Sequence, residues 1–204
     1  MNVKSILLSG FLAASSTAFA APVTYIQSTP SLDGDVNSSW AVDIFSDELT
    51  IGNTGTLIPN NHKAIVTFDT TQITAGETVD AAHAVLSFSE FPEGMQYGDL
   101  IEYLADNIKI EIASPYGFGG SHAITAYDYY SLPVATVDND DIDLGWYVDL
   151  GFELTDYVNP FGLTQVSISL INNPQNIAIK FKSGEVEAPY ISYHESPIMI
   201  VSYK

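Results

Sequence analysis

Ile177-Ala178-Ile179-Lys180-Phe181-Lys182 sets Ile177, Ile179 and Phe181 on one face of an extended chain and two lysines on the other. One side of such a strand belongs in a core and the other in water. The same period of two recurs in Val166-Ser167-Ile168-Ser169-Leu170 and in Ile108-Lys109-Ile110-Glu111-Ile112. Further strand candidates are Thr24 to Gln27, Glu48 to Ile51, Ala64 to Phe68, Ala84 to Phe88, Trp146 to Leu150, Tyr190 to Tyr193 and Ile198 to Tyr203. Turn chemistry separates them, at Asp33-Gly34, Gly52-Asn53, Pro59-Asn60-Asn61, Gly76, Asn172-Asn173-Pro174 and Ser183-Gly184. Only Leu100 to Ala105 and Glu153 to Val158 have a helical pattern, and Pro160 would stop the second. Many short strands and at most one or two short helices predict an all-β fold, an antiparallel two-sheet β-sandwich of jelly-roll type. No repeat, low-complexity tract or linker divides the chain, so residues 21–204 read as one domain.

Residues 1–20 read as an export signal. Lys4 supplies the positive start, Ile6 through Ala14 the short apolar stretch, and Ala18-Phe19-Ala20 the small residues at a cleavage site. The stretch is shorter than the roughly 20 apolar residues of a membrane helix, and no later segment approaches that length. The sequence therefore predicts export without membrane insertion, to the cell surface, the periplasm or the medium. Beyond the signal, five lysines face 25 acidic residues, a formal charge of −20, and arginine is absent. Nucleic acids and anionic membrane surfaces need a basic patch, usually with arginine to grip phosphate, and both are excluded as partners on this ground. Cysteine is also absent, so packing alone, or packing plus a metal, must hold an exported fold together.

The order of segments resembles the secreted β-sandwich domains called DNRLRE domains, related to carbohydrate-binding module family 96. The likeness begins at Asp33-Gly34-Asp35-Val36 and Leu49-Thr50-Ile51-Gly52, then runs through Ala64-Ile65-Val66-Thr67-Phe68-Asp69-Thr70 and Val79-Asp80-Ala81-Ala82. It continues with Ile110-Glu111-Ile112, Gly117-Phe118-Gly119-Gly120-Ser121, Gly145-Trp146-Tyr147 and Gly162-Leu163-Thr164-Gln165. It closes with Ile179-Lys180-Phe181-Lys182-Ser183-Gly184-Glu185 and a last strand from Pro189. Nearly the whole exported chain is covered, and the shared order carries the resemblance. Family members usually have an arginine before the "FD" strand, where this chain has Asn61-His62-Lys63-Ala64. The resemblance implies a non-catalytic accessory or glycan-binding fold.

Catalytic patterns are sparse. Gly120-Ser121-His122, with Asp128 nearby, offers a serine and a histidine, but adjacent residues of an extended chain point to opposite faces. A glycosidase needs two carboxylates across a cleft, and no spacing among the acids singles out a pair. A lyase acting on uronic acids would need a tyrosine, a histidine and a cation together. Zinc is disfavoured by the absence of cysteine and by the spacing of His62, His83, His122 and His194, of which only His83 reads as strand. Calcium fits better. Asp138, Asp140, Asp141 and Asp143 crowd four carboxylates into six residues, without the glycine and flanking helices of an EF-hand, and Asp33, Asp35 and Asn37 form a smaller oxygen cluster in a turn. Bound Ca²⁺ would raise the melting temperature.

Aromatic residues complete the candidates. A flat ring stacks on the apolar face of a pyranose, and Trp40, Tyr116, Phe118, Tyr127, Tyr129 and Tyr130 lie in turn-rich segments suited to such a platform, while Trp146 reads as core. The leading expectation is a secreted non-catalytic module that binds a neutral or calcium-bridged polysaccharide. A self-associating matrix or envelope protein is the alternative, and a polysaccharide lyase or other hydrolytic enzyme the third.

Overall fold

Alternation in the sequence becomes pairing in space. The computed structural model describes residues 22–55, 57–73, 76–90, 92–144, 149–171, 173, 177–183 and 196–204. Within them the chain forms β1 (Val23–Gln27), β2 (Gly34–Asn37), β3 (Val42–Asp43), β4 (Glu48–Asn53), β5 (Asn61–Asp69) and β6 (Val79–Glu90). There follow α1 (Tyr97–Asn107), β7 (Ile108–Ile112), β8 (Ala135–Thr136), β9 (Ile142–Leu144), β10 (Asp149–Glu153), β11 (Leu163–Leu170), β12 (Ala178–Lys182) and β13 (Ile198–Tyr203). All pairings are antiparallel. The main order is β1-β13-β6-β12-β4-β5-β11-β7-β8, with β10 and β9 joined through β6, and β2 and β3 through β5.

Two layers arise because β6 serves both. Its first part pairs with β13 and β10, and its last residues, Phe88 and Glu90, pair with β12. The hydrogen-bonded sheet curls over itself and encloses one core. From β5, β7 and β11 come Ala64, Val66, Phe68, Ile110, Val166 and Ile168; from the opposing strands come Leu86, Phe152, Met199 and Val201, all essentially fully buried. Each large side chain so removed from water contributes about 1.5–3 kcal/mol before chain entropy is subtracted. Helix α1 covers one end of this core with Leu100 and Leu104, four residues apart on one face.

Some expectations need correction. Glu153 to Val158 is not an α-helix: Glu153 is spent in the β10–β6 ladder opposite His83, leaving room only for the 3-10 turn Thr155–Tyr157. Asp35 and Asn37 lie in β2 rather than a turn, and His62 lies in β5 rather than a loop. The expected strand Tyr190 to Tyr193, His194, Trp146 and the start of the Trp146 to Leu150 strand lie outside the described residues.

The outer face of β5, β11 and β7 carries Lys63, Ile65 and Thr67 beside Gln165, Ser167 and Ser169, then Lys109 and Glu111. The chain between β7 and β8 folds back over part of it, and Phe118 joins Val36, Ile65 and Ala113 in a second small core, flanked by Ile124 and Tyr129. Gln165 fastens this cover: its Oε1 accepts from Phe118 N at 3.1 Å, and its Nε2 donates to Thr67 Oγ1 and to the His122 carbonyl at 2.9 and 3.0 Å. Gly117 makes the entry possible, since its φ of 86° is left-handed and a Cβ there would lie 2.1 Å from the Ser121 carbonyl oxygen. Among the described residues no helix is long and apolar enough to cross a membrane.

Candidate functional site

The β2–β3 hairpin is closed by Asn37. Its Oδ1 accepts from the amides of Ser39 and Ala41, and its own amide donates to the Ala41 carbonyl. Within this tight loop Trp40 adopts φ 68°, left-handed backbone that a residue with a Cβ enters at a cost of about 1–2 kcal/mol. Its indole projects into solvent, 53% exposed. Far along the chain, the 3-10 turn Ala126–Tyr130 is fixed by Asp128, whose Oδ2 accepts from Thr125 N at 2.6 Å. Burial pushes the Asp128 carboxyl up, against the hydrogen bonds that hold it.

That turn delivers its rings to Trp40. The Trp40 and Tyr127 centroids are 5.5 Å apart, edge to face; Trp40 and Tyr130 are 5.1 Å apart; Tyr129 and Tyr130 are 4.8 Å apart. The Tyr130 hydroxyl reaches back to the Ser38 carbonyl at 3.4 Å. Trp40, Tyr127 and Tyr130 are exposed and Tyr129 is half-buried, so four of the six aromatic candidates form one cluster. Tyr116 stands exposed on the separate turn Ser114–Gly117. Phe118 is a correction: at 1% exposure it belongs to the second core and presents nothing to a ligand, because the strand face beneath needs an apolar cover.

Tyr129 also borders a polar groove of about 530 Å³, whose lining includes His62, Lys63, Lys109, Glu111 and Ser169. The β4–β5 turn forms one wall through Asn53 and Pro59. Glu111 is nearly buried and gripped by two ammonium groups, Lys63 at 3.0 Å and Lys109 at 2.6 Å. Burial alone would raise its pKa; the two lysines outweigh burial and hold the carboxyl below its ordinary value. The Lys63 ammonium also sits 5.9 Å from the centre of the Tyr129 ring. Rings and groove therefore adjoin.

The oxygen-rich candidates divide. Asp33 Oδ1 accepts from Thr67 N at 2.8 Å; Asp35 takes His62 Nδ1 at 2.8 Å and Thr50 N at 3.3 Å; Asn37 closes its hairpin. Asp138, Asp140 and Asp141 are exposed around the 3-10 turn Asn139–Asp141, and Asp143 follows on β9. Asp140, Asp141, Asp143, Glu153 and His83 edge a depression of about 360 Å³. Burial lowers the His83 pKa, opposed by Asp143 and Glu153. Among the described residues no three histidine or carboxylate side chains converge as a metal ion would require.

Sequence reasoning missed the groove. The available signal was that Lys63 and Glu111 interrupt apolar strands, which places charge at buried or half-covered positions. No protein-family model matches the chain, and no curated protein matches it.

Proposed function

We propose that the chain is exported and binds an extracellular polysaccharide, with sugar rings stacked on Trp40, Tyr127 and Tyr130 and hydroxyls read along the adjoining groove. The observation that carries this reading is the convergence of exposed rings from two distant segments, one held in strained left-handed backbone. Strain of that kind persists where surrounding structure enforces it, and it clusters at binding sites. Exposed aromatic surface beside a polar trough suits a pyranose, which has apolar faces and a rim of hydroxyls.

A pull-down on a panel of insoluble polysaccharides tests it. Wild-type protein is retained on at least one polymer, and Trp40→Ala or Tyr127→Ala weakens retention at least roughly tenfold, as loss of one stacked ring worth about 1.4 kcal/mol or more requires. Repeating the assay in Ca²⁺ and in EDTA separates direct binding from a calcium-bridged polymer held at the exposed 138–143 carboxylates. Concentration-dependent assembly on size exclusion without retention would instead favour the self-associating role. Strand β1, with Val23 and Tyr25 exposed at the sheet edge, offers a surface for that alternative.

A further inference from the structure

Where the β4–β5 turn meets the groove, three side chains line up. Asp35 Oδ1 lies 2.8 Å from His62 Nδ1, and His62 Nε2 lies 3.0 Å from Thr54 Oγ1. An ionised carboxylate only accepts, so Nδ1 carries a proton, and in the neutral ring Nε2 is then an acceptor within reach of the Thr54 hydroxyl. Asp35 cannot swing away, because its second oxygen takes Thr50 N at 3.3 Å. The imidazole is thereby fixed in the tautomer that makes it a base toward Thr54. A hydroxyl beside a base that is itself oriented by a third group is the arrangement that activates a nucleophile.

The surroundings suit that chemistry. Thr54 is exposed, whereas the side chains of His62 and Asp35 are 13% and 7% exposed, so the nucleophile faces solvent and its activators do not. The Asn60 amide nitrogen donates to Thr54 Oγ1 at 3.5 Å and lies 3.3 Å from His62 Nε2, tying the β4–β5 turn to both side chains. The Asn60 Oδ1 is buried without a hydrogen-bond partner among the described residues.

We propose that Thr54, His62 and Asp35 form a hydrolytic triad that cleaves carboxylic esters of small acyl groups, such as the O-acetyl groups of a polysaccharide. Thr54 Oγ bonds to the acyl carbon as its proton passes to His62 Nε2. The bond from the acyl carbon to the alcohol oxygen breaks, and His62 returns the proton to the departing alcohol. Water, giving its proton to the same nitrogen, then attacks the acyl-threonine; the carboxylic acid leaves and Thr54 recovers its proton. Thr54 and His62 are the catalytic residues, and Asp35 is a positioning residue. The activity rests on these residues and not on the glycan reading.

The test uses 4-nitrophenyl acetate with the whole exported chain, following nitrophenol release and locating bound acetyl by mass spectrometry after a rapid quench. Wild-type protein shows turnover and an acetyl group on the peptide containing Thr54. Thr54→Ala and His62→Gln each lower the rate roughly 100-fold or more, while Thr54→Ser retains it. Asp35→Asn lowers kcat and leaves KM in place, which a loss of structure would not do; circular dichroism confirms that each variant is folded. Acetyl found only on lysines, a wild-type rate in Thr54→Ala, or no turnover at all would each overturn the triad.

Discussion

Trp40 shows what one residue contributes in two currencies of measurement. Its left-handed backbone is a stability cost, and its exposed indole is the proposed ligand contact. Removing the ring without the strain, and removing both, separates them. Trp40→Ala keeps a Cβ in the disfavoured region, whereas Trp40→Gly does not, so the glycine variant is expected to be the more stable of the two by about 1 kcal/mol. Urea denaturation of the pair reads that difference directly, and equal midpoints would mean the loop relaxes when the indole is gone. On the proposed function, both variants are expected to be retained at least roughly tenfold more weakly than wild type in the same polysaccharide pull-down. Trp40 was readable in the sequence as a candidate because it sits in a turn; that it meets Tyr127 and Tyr130 was not readable, since the meeting is set by how the β2–β3 hairpin and the 113–134 segment fold onto the same sheet.

Elements were legible in proportion to their alternation. Strands β7 and β13 match the expected Ile108 to Ile112 and Ile198 to Tyr203 to the residue, because one face of each is apolar throughout. Strand β2 escaped notice for the opposite reason: Gly34-Asp35-Val36-Asn37 has one apolar residue, yet all four are buried, since Asp35 is satisfied by β4 and β5 and Asn37 by its own hairpin loop rather than by water. The same logic hides the tie between β5, β7 and β11. Lys63 and Glu111 belong to different strands, and Ser167 of β11 donates to Glu111 at 3.4 Å. Glu111→Gln leaves the nearly buried Lys63 ammonium without its counter-charge and is expected to cost about 3 kcal/mol. A lowered carboxyl pKa means the folded protein binds that proton less readily than the unfolded chain. The stabilisation is therefore complete at neutral pH and drains away as pH falls below the ordinary glutamate value of about 4.3 toward the folded one. Urea midpoints of wild type and variant should differ most near neutrality and converge on acidification; a constant gap would assign the loss to packing instead.

For the molecule as a whole, negative charge dominates. Even where lysines pair, acids can outnumber them, as when Lys180 is shared by Glu48 at 3.0 Å and Glu90 at 2.6 Å. Raising salt from about 10 mM to about 150 mM shortens the screening length from about 30 Å to about 8 Å. Relief of repulsion should then raise the melting temperature by about 2–4 °C per kcal/mol gained, measurable by calorimetry, whereas a fall would mean that the few ion pairs outweigh the surplus. The first and last strands lie edge to edge, Val23 opposite Ser202 and Gln27 opposite Ile198. Tension applied through the outer ends of β1 and β13 therefore loads their shared ladder from one end, so hydrogen bonds break in succession like a zip instead of shearing together, and a molecule anchored at both ends yields first along that seam.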